Sequence, residues 1–445
     1  MTIARTICIG FLALILVGTL LLMMPFATVS GTWNSFIVAL FTATSAVCVT
    51  GLAVVDTGSD FSFWGQLTIL LLIQIGGLGY MMTTTFLILL LGRKFDLRQK
   101  FAIQESFDRP FLQGSNNLVR SIIATTLIFE ITGIFLLLRT FVREYGWSKG
   151  LWYSVFHSIS AWNNAGFSLF SDSLVSYRSS LAINLVIAAL VIFGGIGYQV
   201  IIEMYLWLTN RIIKGKQERF CFSLNFKVVV STTILLLLVG TIAFLLTEFN
   251  NPATLDPFNF KDKLLAAWFH SMSTRTAGFN SIDLGNMTTA GLFITMGFMF
   301  IGASPSGTGG GIKTTTFRVL YNATKSVLQG KNDVILYQRE VPSTLILKAV
   351  AVVFGTAASI VFVTILIASL DHQFTLLPIL FEVISAFATV GLSTGITSSF
   401  SIASQVILVF AMYVGRVSIL ILIAAIIGDP KPTTLHYPEE NLLVG

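Results

Sequence analysis

Seven charge-poor apolar runs, near 8–25, 64–91, 121–138, 181–208, 228–247, 349–370 and 402–428, recur along the chain, with a shorter eighth near 288–303. Each of the seven can cross about 30 Å of hydrocarbon, so a bilayer is the solvent that accommodates them together. Composition agrees: 11% of the 445 residues are charged and 54% are hydrophobic, where a soluble domain carries about 25% charged. The expected fold class is an all-α polytopic membrane protein. Weaker apolar stretches, 33–46, 150–161, 263–273 and 375–388, lie between alternate pairs of runs. They are too short to span and too apolar for ordinary loops. Such segments are expected to be re-entrant, which is permitted only where the backbone lines an internal cavity.

Basic residues set the expected orientation. Loops 92–120, 210–227 and 313–348, with Arg5 and Lys431, hold 19 of the 27 Lys and Arg residues on one side. The positive-inside bias makes that side cytoplasmic, both termini included. It also accounts for the net charge of +6 without nucleic acid. The opposite face carries Asp56, Asp60, Glu144, Asp172, Glu248, Asp256, Asp262, Asp283 and Asp371. These acids either concentrate cations at a mouth or simply solvate loops. Residues 5–31 have the outline of a secretory signal peptide, but the apolar run is long for one and further spans follow. It is expected to remain as the first span. Cys8, Cys48 and Cys221, and the four histidines, form no disulfide framework or metal-ligand spacing.

The re-entrant stretches are copies of one unit. They read FTATSAVCVTG (41–51), FHSISAWNNAG (156–166), FHSMSTRTAG (269–278) and FEVISAFATVG (381–391). An apolar residue follows each final glycine: Leu52, Phe167, Phe279 and Leu392. The step from aromatic to glycine is ten residues in three copies and nine in the third. Every copy sits between two apolar runs, giving helix–loop–helix units over 1–115, 116–223, 224–343 and 344–445. QIGGLGY (74–80) in the first unit answers FGGIGY (193–198) in the second. Four units entering from one side imply eight spans in a pseudo-fourfold arrangement about a central pore, a parallel-repeat layout known in transporters.

Glycine points to the chemistry. A dehydrated monovalent cation needs a ring of oxygens in place of water, and backbone carbonyls supply it if the chain can turn them all inward. Glycine reaches the necessary dihedrals without a Cβ clash. Thr50, Asn163, Asn164, Thr276 and Thr389 are expected to brace the strands, and the preceding short helices aim their negative ends at the cavity. The candidate cation filter is therefore Val49, Thr50 and Gly51, with Asn164, Ala165 and Gly166, Thr276, Ala277 and Gly278, and Thr389, Val390 and Gly391.

The four repeats, the loops VCVTGL, NNAGF, RTAGF and ATVGLS, and the segment GASPSGTGGGIKTTT together resemble the Trk/Ktr/HKT superfamily of potassium transporters. Over essentially the whole chain the resemblance is strongest to its bacterial Ktr membrane-subunit (KtrB) branch. It implies a homodimer with one pore per protomer and a cytosolic RCK-type nucleotide-binding regulatory subunit (KtrA-like). It assigns the filter glycines to Gly51, Gly166, Gly278 and Gly391. A serine at the first of these positions accompanies sodium transport in plant relatives; Gly51 here favours potassium. The four strands differ from one another, unlike those of a simple tetrameric channel. The expected cargo is K+, with Na+ as a candidate coupling or activating ion, and no covalently bound cofactor is expected.

The short eighth run, 290–303, gives about 21 Å of helix at roughly 1.5 Å per residue, too little to cross. Pro305 and the glycines that follow it break the helix, so 304–316 must complete the crossing inside a cavity. This segment reads as a gate, formed by Gly302, Pro305, Gly307, Gly309, Gly310, Gly311 and Lys313; the resembled family has an intramembrane gating loop in the same region. A nucleotide P-loop is excluded because Ile312 separates the glycines from Lys313 and a helix, not a strand, precedes it. Arg416 lies mid-span, where a charge is costly and faces a polar interior. Two readings stay open: an ion pair with Glu382, Glu130 or Glu203, or a pore-facing donor that holds the gate. No acid–base pair or nucleophile cluster suggests an enzyme. The expected function is potassium uptake at the plasma membrane, with an ion-coupled transporter of a small solute as the alternative.

Overall fold

The computed structural model describes residues 3–79, 115–213 and 220–428. Most of loop 92–120, the later part of run 64–91, Tyr80, residues 214–219 and the C-terminal tail with Lys431 lie outside the described residues. The chain is mostly helical. Its helices are α1 (Ile3–Met23), α2 (Phe36–Val47), α3 (Thr57–Asp60), α4 (Phe63–Leu78), α5 (Ser115–Trp162), α6 (Leu181–Ile196) and α7 (Tyr198–Leu208). They continue as α8 (Leu224–Glu248), α9 (Phe260–Ser273), α10 (Thr289–Phe300), α11 (Thr314–Leu328), α12 (Ser343–Leu370), α13 (Leu376–Phe387), α14 (Ile402–Val417) and α15 (Ile419–Ile427).

Among the described residues, four helices are long and apolar enough to cross a membrane, those at 4–23, 120–162, 224–248 and 343–370. Two bent pairs could each make one further crossing: α6 with the helix after it, at 104°, and α14 with α15, at 91°. Their outer faces are apolar. Phe354 on α12 is 76% exposed and Leu246 on α8 is 75% exposed, surfaces suited to lipid rather than water.

The four weak apolar stretches are all helical. α2, α9 and α13 match their expected ranges closely. The second, residues 150–161, lies in the part of α5 after Gly146 (φ 78°, ψ 172°), a non-helical kink that sets it off from the preceding span. The anchoring aromatics Phe41, Phe156, Phe269 and Phe381 are fully buried, and so, nearly, are Leu52, Phe167, Phe279 and Leu392 after the glycines. These eight side chains fix both ends of each loop in the core.

A break was expected only in the third unit, with 181–208 and 402–428 as uninterrupted spans. The structure corrects this. Gly197 (φ 95°, ψ 142°) separates α6 from α7, and Ser418 (φ 76°, ψ 137°) separates α14 from α15. Gly79, after α4, takes the same conformation (φ 80°, ψ 134°). Hydropathy could not reveal these breaks, because apolar residues continue on both sides of each.

Acidic residues also find roles that sequence left open. Glu248, fully buried at the end of α8, accepts from the Thr288 N–H at 3.1 Å and its hydroxyl at 2.6 Å, at the start of α10. Asp371 at the end of α12 likewise accepts from the Ser401 N–H and hydroxyl before α14. These two carboxylates tie helix pairs together and compensate helix N-termini. On the other side, a small hairpin pairs Ile335–Leu336 with Arg339–Glu340 between α11 and α12.

Candidate functional site

Each short helix delivers its chain into a glycine loop with the same backbone. Val49 (φ 56°), Asn164 (φ 57°), Thr276 (φ 66°) and Thr389 (φ 49°) are left-handed. Two residues later Gly51 (φ 92°), Gly166 (φ 68°), Gly278 (φ 76°) and Gly391 (φ 90°) are left-handed again. Between them, the N–H groups of Thr50, Ala165 and Val390 donate to the carbonyls of Ser45, Ser160 and Ser385, five residues back, at 2.8–2.9 Å. In the third loop Ala277 donates to Ser273, four residues back, at 3.0 Å. The missing residue of that copy is absorbed in this one tighter turn.

The loops meet in a closed order. A Cβ placed on Gly51 would press on the Ala165 carbonyl, one on Gly166 on Ala277, one on Gly278 on Val390, and one on Gly391 on Thr50. Every glycine thus lies against the carbonyl preceding the next glycine, and the fourth returns to the first. Eight of the twelve candidate filter residues, the four glycines with Thr50, Ala165, Ala277 and Val390, make these contacts. No side chain larger than hydrogen fits at its contact points without displacing backbone.

The expected bracing is met by the Asn163 amide, which donates to the Ile159 carbonyl of its own short helix at 2.9 Å, but not by Thr50 or Thr389. Thr50 Oγ1 is buried with no hydrogen-bond partner in the structure, and Thr389 Oγ1 accepts from the Gly310 N–H at 3.1 Å, outside its own loop. The Asn163 amide binds Gln74 Oε1 at 2.8 Å, and that of Asn164 is oriented to donate to the carbonyls of Ala161 and Val191. Four serines, not foreseen from the sequence, also brace the loops. Ser45 and Ser385 accept from the N–H groups of Gly51 (3.0 Å) and Gly391 (3.1 Å). Ser160 donates to the Phe167 carbonyl at 2.7 Å, and Ser273 to that of Phe279. The signal was present: all four copies read aromatic-x-x-x-Ser.

Helix packing beneath the ring explains the glycines of the second helices. A Cβ on Gly76, Gly194 or Gly415 would strike the carbonyl of Val47, Trp162 or Phe387, respectively. Each contact is with the last residue of the short helix in the same unit, so the three units pack alike. Gly77, Gly195 and Arg416 come next in the three sequences.

Below lies the segment between α10 and α11. Residues 302–311 are not helical, as expected from Pro305 and the glycines. Gly302 and Ala303 donate to the carbonyls of Ile312 (2.9 Å) and Gly310 (3.2 Å), closing the segment into a compact loop. It docks on carbonyls that the Gly197 break leaves without helical partners: Thr308 donates to Gly194 O at 3.1 Å and Ser304 to Gly195 O at 3.0 Å. Its tip reaches the ring, since Gly309 packs on the Thr276 hydroxyl and Gly310 on that of Thr389. Lys313 Nζ returns to the Gly309 carbonyl at 2.9 Å.

Arg416 completes this layer. Its Nη1 donates to the Thr308 carbonyl, and its Nη2 to the carbonyls of Gly76 and, at 3.3 Å, Gly77. None of the three glutamates considered as its ion-pair partner fills that role. Glu382 accepts from Ser393, Thr394 and Thr397 beyond the fourth loop. Glu130 faces Asn163, and Glu203 accepts from Ser223. Of the two readings, the donor that holds the glycine-rich loop is the one with geometry behind it.

Three comparisons bear on this arrangement. The family described as TrkH, cation transport protein, matches residues 6–437. The Ktr system potassium uptake protein B of Bacillus subtilis is 38% identical over 99% of the chain and 96% of its own length. Its namesake from Vibrio alginolyticus is 39% identical over 99% and 94%. In fold, the chain is similar to the crystal structure of the potassium transporter TrkH from Vibrio parahaemolyticus, with a TM-score of 0.69 over 95% of this chain and 85% of that one, at 17% identity.

Proposed function

The chain belongs to the TrkH family of cation transport proteins, and from that premise we propose that it is a potassium uptake protein of the Ktr/Trk type. The observation that carries the reading is the closed ring of four glycine loops. A layer of four backbone carbonyls, one from each loop at Thr50, Ala165, Ala277 and Val390, can replace part of the hydration shell of a monovalent cation. The four units act as pseudo-fourfold repeats, with eight crossings around one pore. The segment 302–311 beneath the ring is the gate, held shut by Arg416 and Lys313, so transport is passage through a gated filter and not chemical catalysis.

The protein works at the plasma membrane with its basic side and termini in the cytoplasm. It forms a homodimer and takes a cytosolic RCK-type nucleotide-binding ring on that basic face. The relatives' names, each one protein of a Ktr system, support a partner subunit.

Rubidium-86 uptake into liposomes containing the purified protein tests the proposal, with K+ and Na+ as competitors. Saturable uptake suppressed by K+ far more than by Na+ is expected, and protein-independent flux would overturn it. Adding the purified candidate regulator should change the rate; identical flux without co-purification would remove that partner.

A further inference from the structure

The third glycine loop carries a charge that the other three lack. Arg275 directly precedes Thr276, at the position held by Cys48, Asn163 and Ala388 elsewhere. It is 9% exposed, and its hydrogen bonding is sparse. Nη2 reaches Thr233 Oγ1 on α8 at 3.4 Å, while Nε is buried without a partner. No carboxylate pairs with it among the described residues. Arg416 offers the contrast, since its guanidinium is spread over three carbonyls.

Arg275 and Thr233 line a cavity of about 20 Å³ between α6, α8 and the end of α9. The rest of the wall is largely apolar, including Val191, Leu237, Met272 and Ala303. The Asn164 amide at its edge is engaged with the carbonyls of Ala161 and Val191. A cavity this size holds one small species, since a single water needs about 10–15 Å³.

We propose that this cavity binds one monovalent anion of chloride size. A buried guanidinium whose Nε–H is unpaired and whose charge no carboxylate cancels requires compensation. Water can accept a hydrogen bond there but leaves the charge uncancelled. Carboxylates and phosphates are too large for the space. A halide accepts from both the arginine N–H groups and the threonine hydroxyl, and it asks for no donor in return. Bound there, it screens the positive charge beside the third glycine loop and sits against Ala303, at the root of the glycine-rich segment.

Bromide is the probe. Crystals of the full chain grown in bromide should show an anomalous peak against Arg275 and Thr233. Thermal unfolding in detergent, at matched ionic strength, should give a melting temperature that rises saturably by a few degrees as bromide or chloride replaces gluconate. Arg275→Gln should abolish that increment; if it does not fold, Thr233→Val, which removes only the hydroxyl, should weaken it. Two results overturn the site: no peak together with equal melting temperatures in bromide and gluconate, or a halide effect that survives in both variants.

Discussion

Arg416 on α14 donates to the backbone carbonyl of Thr308, joining the fourth unit to the glycine-rich segment of the third. The same guanidinium holds the carbonyls of Gly76 and Gly77 at the end of α4. Those carbonyls correspond to Gly194 and Gly195, which the segment itself occupies in the second unit. The segment takes its acceptors from the end of α6, and Arg416 links it to the end of α4.

Arg416→Ala is accordingly expected to raise rubidium flux through the wild-type filter. Each lost charged hydrogen bond is worth about 1.5–3 kcal/mol, offset in part by no longer burying the charge. Arg416→Lys should be intermediate, because one ammonium cannot reproduce the planar fork that reaches both segments. Flux and melting temperature on the same preparations check this. Unchanged flux with lowered stability would reduce Arg416 to a packing tether.

Gly51→Ser tests the ring itself. The position has φ 92°, and its Cβ would lie 2.5 Å from the Ala165 carbonyl oxygen. Left-handed strain alone costs about 1–2 kcal/mol, and the clash must shift a carbonyl of the ring. Reduced discrimination of K+ over Na+ is expected. Gly395→Ser is the matched control, with the same φ of 92° and nothing within 4 Å of its Cβ. It should lose similar stability and keep its ion preference. Competition of Na+ and K+ for rubidium uptake separates the two, and equal selectivity loss in both would count against the filter.

The glycines were legible because a spaced motif repeats four times, and chance does not reproduce spacing. The aromatic anchors and the helix-free segment after Pro305 followed from the same kind of local chemistry. The bends at Gly197 and Ser418 were hidden, because lipid-facing apolar residues continue through them and a hydropathy run has no direction. Arg416 was conspicuous as a charge, yet its partners are backbone carbonyls, which no side-chain pattern announces. The bracing serines were visible but overlooked: attention went to residues beside the glycines, while the hydrogen bonds come from one turn back along the short helix.

Ser45→Ala and Ser385→Ala should therefore alter selectivity without touching the ring's own residues. Each removes the acceptor for the N–H of a ring glycine, Gly51 at 3.0 Å or Gly391 at 3.1 Å. The cost is about 1–3 kcal/mol if that N–H is left buried and unpaired. Competition assays should show weaker preference for K+, with most of the protein still folded. An unaltered preference in both variants would mean that the short helices hold the loops by packing alone.

Glu248 distinguishes a structural carboxylate from a cation-attracting one. It accepts from Asn251, Thr254 and Thr288, with two bonds from Thr288. Glu248→Ala should lower stability by about 1–3 kcal/mol through its orphaned donors. In the folded fraction, the salt dependence of flux should match wild type. A selective loss of uptake at low ionic strength, with stability intact, would instead restore its place at a mouth.

Shortening the segment between Pro305 and Gly311 is the most direct test of gating. The segment packs beneath the ring through the hydroxyls of Thr276 and Thr389. It is held there by the bonds of Ser304 and Thr308 to Gly195 and Gly194, and by Arg416. None of these contacts supplies a ring carbonyl. Removing several residues from it should therefore raise rubidium flux several-fold while the order of preference among K+, Rb+ and Na+ stays close to wild type. The carbonyl of Gly194 would lose its Thr308 partner, so some stability should be lost and folding must be verified by size-exclusion chromatography and melting temperature. A folded variant with unchanged or reduced flux would show that the segment supports the pore and does not close it.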